Sequence, residues 1–242
     1  MTTPTPNRRS FLKFAGAGAG AVMLGGVNMT ALAATTVAGK SKQQDIDILN
    51  YALLLEFLEE DFYLKFADKG ALRGKLSDAR VKTYADIIAA HESAHVTALQ
   101  QTIVSLGGTA ITKPKIDFTP LVGDGSKLDD KAFLALAATF EPIGVRAYLG
   151  QADKIQNGDV LTAAASILAV EANHASGVQE LRRQLGHTPA NLQTGIAPQP
   201  AGGETIVDTS KFNLDYSPTP TDFWKPLSME TVTMIVGPLL PK

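Results

Sequence analysis

The chain predicts an all-α fold: a four-helix bundle with a long crossover between helices 2 and 3 and an extended C-terminal wrap. Three observations carry that expectation. Four segments, each of about 25 residues and so about 38 Å long as helix, repeat their apolar side chains at helical spacing. The longest connection falls between the second and third of them, which suits two parallel neighbours joined end to end. From His187 onward the composition turns to Pro, Gly, Thr and Asp. At 242 residues one core is the default, and the expected division is residues 1–33 as a leader, 34–186 as the bundle and 187–242 as an extension packed on it.

The first helix is expected from about Gln43 to Asp68, with Ile46, Leu49, Leu53, Phe57 and Phe66 at helical spacing and Gly70 as its stop. Ser77 is the candidate cap of the second, which carries Tyr84, Ile88, Leu99, Ile103 and Leu106 and ends at Gly107-Gly108. A loop with Pro114 and Pro120 follows from Thr109 to Lys127. Asp129 or Asp130 then caps a third helix reaching roughly Asn157, where Asn157-Gly158-Asp159 makes a tight break before a fourth helix from Val160 to Leu185. In the tail, Phe212, Tyr216, Phe223 and Trp224 are costly to leave in water, which favours an ordered wrap closed by a short helix from Ser228 to Val236.

The leader begins with Asn7-Arg-Arg-Ser-Phe-Leu-Lys13, continues as a Gly-rich apolar run to Val27 and offers a small-x-small cleavage site at Ala31-Leu32-Ala33. It resembles a twin-arginine export signal, and the run is too short and too rich in Gly and Ala to span a bilayer well. That route implies a periplasmic or secreted protein exported already folded, often with a cofactor inside. Cleavage after Ala33 removes Arg8, Arg9 and Lys13 and no acidic residue, taking the formal charge from −2 to −5. A mildly acidic chain without a basic cluster has no electrostatic footing for nucleic acid or, once the signal is gone, for an anionic membrane. With no cysteine, a transition metal must sit on oxygen and nitrogen ligands.

Those ligand types occur in a pattern. Glu92-x-x-His95 lies on the second helix and Glu171-x-x-His174 on the fourth, each with its histidine near the centre of the apolar stripe. Glu56 and Glu141 stand 36 and 30 residues upstream of those glutamates, and each is followed seven residues later by a tyrosine, Tyr63 and Tyr148. The bundle thus reads as one helical hairpin written twice. Four glutamates inside a bundle are expensive without cations; two divalent ions, iron or manganese, balance their charge. Glu56, Glu92, His95, Glu141, Glu171 and His174 are the expected metal ligands, and the tyrosines are expected to donate to the glutamate upstream on their own helix.

Three details are open at this level. Glu59 and Glu60 adjoin Glu56, and either could join or replace it; Glu60 lies on nearly the same face, whereas Glu59 points toward Phe62 and Phe66. Pro142, next to Glu141, is expected to kink the third helix and open it toward the site. His91 completes His91-Glu-Ser-Ala-His95, the pattern of a zinc peptidase helix, but the matching slot in the other hairpin is Val170, which suggests that the position need only be large and buried.

The stretches from Leu49 to Glu59, His91 to His95, Phe140 to Tyr148 and Glu171 to His174, with Phe223 to Ser228 near the end, resemble the ferritin-like domain family of exported bacterial and plant desiccation-related proteins. The resemblance covers roughly Asp45 to Leu185. It implies a ferritin-like bundle, and the wider superfamily includes iron stores, peroxidases and manganese catalases. The expected function is an exported protein with a dinuclear iron or manganese carboxylate site that reacts with dioxygen or hydrogen peroxide. The alternatives are a non-catalytic stress or envelope protein that keeps bundle and metal for structure, its tail serving as a partner or homo-oligomer surface, and, as a minor alternative, a zinc peptidase using His91, His95 and Glu92.

Overall fold

The computed structural model describes residues 40–188 and 224–241. The leader, Phe212, Tyr216 and Phe223 lie outside them. Six α-helices are described: α1 (Lys42–Phe66), α2 (Ala79–Ser105), α3 (Thr119–Val122), α4 (Asp130–Leu149), α5 (Gly158–Gln184) and α6 (Met229–Val236). Of these α1, α2, α4 and α5 form the bundle, and α1 pairs with α2 as α4 does with α5.

Caps explain most of the boundaries. Ser41 Oγ accepts from Gln44 N–H at the start of α1, Asp129 from Ala132 N–H at the start of α4, and Asn157 from Asp159 and Val160 N–H at the start of α5. For α2 the cap is Asp78, not Ser77. Ser77 is drawn away because its N–H and Oγ, with Asp78 N–H, all donate to the carboxylate of Asp130. The third bundle helix also stops earlier than its apolar pattern suggests, at Leu149 instead of near Asn157. There the C-terminal segment crosses it: Leu227 N–H donates to Arg146 carbonyl, and a Cβ on Gly150 would lie 1.9 Å from Leu227 carbonyl oxygen. The chain turns through a 3-10 turn at Ala152–Lys154 and re-enters as α5.

Two aspartates set the topology. Asp45, in the first turn of α1, accepts from Gln156 and Asn157 N–H at 2.8 and 2.9 Å, so α1 and α5 begin at the same end. Asp130, in the first turn of α4, holds Ser77 and Asp78 as described, so α2 and α4 begin together at the opposite end. The connection from α2 to α4 must therefore run the length of the bundle, as its sequence length suggests, and it does so along α1. Asn50 holds Thr109 carbonyl and Ile111 N–H, Lys113 pairs with Glu60 at 3.1 Å, and the Phe118 ring lies 5.8 Å from that of Phe62. Covered on its outer side, α1 is buried all round from Ile48 to Glu59.

The core lies in two clusters. One gathers the first half of α1 with the second half of α2 and the first half of α5, through Leu49, Leu53, Phe57, Leu99, Ile103 and Ile167. The other centres on Phe62, Phe66, Phe133 and Phe140, with Phe62 and Phe133 stacked at 5.6 Å, and it takes in Leu227, Val232, Ile235, Val236 and Leu239 of the C-terminal segment. The segment from α4 through the following turn is long and apolar enough to cross a membrane by length and composition, but 83% of its apolar window is buried among the other helices. Its hydrophobicity is that of a core helix.

Candidate metal centre

Between the two apolar clusters lies a belt of buried acid and imidazole. Glu56, Glu92, Glu141 and Glu171 are each 0% exposed, and His95 and His174 are 9% and 6% exposed. Each bundle helix supplies one glutamate, because Glu56 and Glu141 occupy mid-helix positions on α1 and α4 while Glu-x-x-His sets both side chains of α2 and of α5 on one inward face, a turn apart.

The six donors converge. His95 Nδ1 is 3.1 Å from Glu56 Oε2, 3.0 Å from Glu92 Oε2 and 3.1 Å from Glu171 Oε1. His174 Nδ1 is 3.1 Å from Glu92 Oε1, 3.1 Å from Glu141 Oε2 and 3.5 Å from Glu171 Oε2. They form two overlapping groups that could hold metal ions: Glu56, Glu92, His95 and Glu171, and Glu92, Glu141, Glu171 and His174. Glu92 and Glu171 belong to both.

Hydrogen bonding does not account for this arrangement. An imidazole nitrogen offers one proton or one lone pair, yet each Nδ1 is surrounded by three carboxylates. Glu92 Oε1 and both oxygens of Glu171 are buried without a hydrogen bond, near the ring nitrogens but out of line with them. An ion bound at about 2.1 Å by adjacent oxygen and nitrogen donors keeps those donors roughly 3 Å apart, which is the spacing seen here. Orphaned carboxylate oxygens and an all-oxygen-and-nitrogen donor set fit a divalent cation of the first transition row.

The sequence model of the ferritin-like domain matches residues 44–184, more than half of the chain. The chain belongs to the ferritin-like domain family. A twin-arginine translocation pathway signal sequence matches residues 5–25, so this ferritin-like protein is exported to the periplasm or secreted. A comparison with curated proteins finds no match.

The tyrosines of the ferritin-like protein work crosswise. Tyr63 Oη donates to Glu141 Oε1 and Tyr148 Oη to Glu56 Oε1, the latter at 2.5 Å, so each serves the other hairpin and not the glutamate upstream on its own helix. Seven residues along a helix are about 10.5 Å of rise. A phenol spans that less easily than the gap to the facing antiparallel helix.

Glu59 and Glu60 also exchange their expected places. Glu60 turns outward to Lys113 on the crossover. Glu59 is 3% exposed and turns inward, where a Cβ on Gly144 would lie 3.1 Å from its Oε1 and 3.6 Å from Glu171 Oε2; its own Oε2 has no hydrogen bond. The helix α4 continues through Pro142, and Glu141, Pro142 and Ile143 are all buried, so the chain is closed to solvent at these residues. His91 belongs to neither donor group. It is exposed at the rim, and its Nδ1 lies 2.9 Å from His174 Nε2 with the two rings near-parallel and edge to edge, centroids 5.2 Å apart, so the slot is large but not buried.

Without an ion, protons take up part of the charge. Burial presses the imidazole of His95 down, but Glu171, Glu56 and Glu92 outweigh it and raise the group to about 12. His174 is raised in the same way by Glu141, Glu171 and Glu92 against its burial. Burial pushes Glu141 up to about 7, and it pushes Glu59 and Glu92 well above the ordinary carboxylate range. Glu171, between both imidazoles, is held at about 2 despite its burial. His91 is lowered by burial and by His174.

Sequence reasoning passed over Asp45 and offered Asp130 only as a helix cap, a role that Asp129 takes. The signal was present: Glu56 and Glu141, Tyr63 and Tyr148, and Asp45 and Asp130 are all 85 residues apart, and the segments they hold, Ser77-Asp78 and Gln156-Asn157, are 79 apart, as are His95 and His174. The repeat covers the helix starts as well as the metal-binding pattern.

Proposed function

We propose that the protein is an exported dinuclear iron or manganese carboxylate protein that reacts with dioxygen or hydrogen peroxide. The observation that carries this reading is the sharing of Glu92 and Glu171 between two four-donor groups, each completed by one imidazole and one further carboxylate. Two redox-active divalent ions held side by side would supply the two electrons that an O–O bond accepts. The chain's part is to fix the carboxylates and exclude bulk water. Tyr63 and Tyr148 each hold a proton on Oη and use it to orient Glu141 and Glu56. The apolar clusters on both sides keep the belt dry. A small oxidant would approach between α2 and α5, where His95 and His174 are the most exposed of the six donors. His91 pairs with His174 and adds no donor to either group, which supports this reading over a zinc peptidase.

Elemental analysis of protein purified through its export route, followed by a peroxide consumption assay, tests the proposal. Two equivalents of iron or manganese per chain with peroxide turnover are expected. Bound ions without turnover would favour a structural role in the envelope, and a single zinc would sink the dinuclear reading.

A further inference from the structure

The internal repeat pairs every donor in the site with a counterpart, but two side chains beside it, Glu59 and His91, have no like counterpart. Glu59 answers to Gly144, 85 residues later, and His91 answers to Val170, 79 later. Gly144 leaves the space into which the Glu59 carboxylate turns, and the neighbouring Glu171 Oε2 is the oxygen that faces His174, whereas Oε1 faces His95. His91 meets His174 and not His95, whose Nε2 has no such partner among the described residues. Glu59 is 3% exposed with an unpartnered oxygen, but its neighbour Glu171 belongs to both groups, so His91 is the side chain that distinguishes them.

We propose that the two metal positions are inequivalent, and that the one formed by Glu92, Glu141, Glu171 and His174 fills first because His91 fixes its imidazole. The inference rests on the two-metal reading and adds an order of filling to it. An ion on His174 Nδ1 needs the lone pair of that nitrogen, so the ring proton sits on Nε2. Nε2–H then donates to His91 Nδ1, and His91 carries its own proton on Nε2. Such an outer partner fixes the ring's rotation and makes the ligating nitrogen more basic, and its loss typically costs 10- to 100-fold in metal affinity. At Val170 the chain provides neither effect for His95.

The test is equilibrium titration of the metal-free full chain with Mn2+ or Co2+ by calorimetry, in wild type and in His91→Val, His91→Asn, Glu59→Gln and Val170→Ala. Wild type should bind in two resolved steps, with His174→Ala abolishing the tighter. His91→Val should weaken the tighter step about 10- to 100-fold and leave the other within about twofold. His91→Asn, whose Oδ1 can accept in place of Nδ1, should restore most of the loss. Glu59→Gln, beside the Glu171 that both groups share, should not set the steps further apart, and Val170→Ala should weaken neither. His91 is exposed and Glu59→Gln removes a buried charge without changing shape, so all should fold. Two like steps in wild type, or a loss shared equally by both steps in His91→Val, overturns the inference while leaving the two-metal reading standing. A wild-type chain that takes up no ion overturns both.

Discussion

Glu92 and Glu56 are alike in type, burial and distance to His95, and each serves two partners, but Glu92 faces both imidazoles and Glu56 only one. Glu92 turns one oxygen to each imidazole, whereas Glu56 gives one to His95 and the other to Tyr148. Glu92→Gln should therefore reduce bound metal from two equivalents to well under one, and Glu56→Gln should leave about one, read by elemental analysis after gel filtration. Equal losses would mean that the carboxylates do not bridge. The six side chains that converge were legible in the sequence because Glu-x-x-His recurs in matching register on two inward faces, each with a glutamate a hairpin upstream. The crossed tyrosine bonds and the exchange between Glu59 and Glu60 were not legible. A helical wheel gives the direction in which a side chain leaves its own helix, and says nothing of how near the next helix stands.

At the scale of elements, the four bundle helices were legible from apolar period and caps, yet their ends were decided by neighbours. Ser77 has the chemistry of a cap, but Asp130 takes its hydroxyl and the role passes to Asp78. The apolar pattern of α4 continues past Leu149, but the helix ends where the backbone of Leu227 occupies the space beside Gly150. Gly150→Ala should therefore cost more than the few tenths of a kcal/mol that helix propensity would return. Overpacking of this kind typically costs about 1–3 kcal/mol, and here it falls on the contact that holds the C-terminal segment. The expected result is a lower urea midpoint and faster proteolytic cleavage between residues 224 and 241, with the bundle itself still helical by circular dichroism. Unchanged proteolysis would show that the segment is held by α6 alone.

For the molecule as a whole, the acidic belt is a local defect in an apolar core, and its charge must be balanced by protons or by metal. In the metal-free protein His95 titrates at about 12 and Glu141 at about 7, both above their unfolded values of about 6.5 and 4.5. A group raised on folding contributes stability that is complete below its unfolded value and is lost as pH rises through the folded one. Glu171, depressed to about 2, runs the other way, and its contribution fades only as pH falls from the ordinary carboxylate range toward 2. Between pH 6 and 9 the raised groups decide the sign, so the metal-free protein should lose stability with rising pH. Bound cations replace those protons, so the loaded protein should change little. The gap in melting temperature between loaded and chelator-treated protein should widen by several degrees over that range, since each kcal/mol moves the midpoint of a domain this size by about 2–4 °C. A gap independent of pH would count against charge balance as the source of stabilisation.

Sequence alone determined the helical class, the doubled hairpin, the export signal and the six side chains that gather in the core, because periodicity, capping chemistry and residue type are local properties carried by the chain itself. Only the tertiary structure decided which carboxylates are shared, which tyrosine serves which glutamate, and that His91 meets His174. Those are distances between helices that antiparallel packing and a crossover laid along α1 bring together, and no spacing along the chain encodes them.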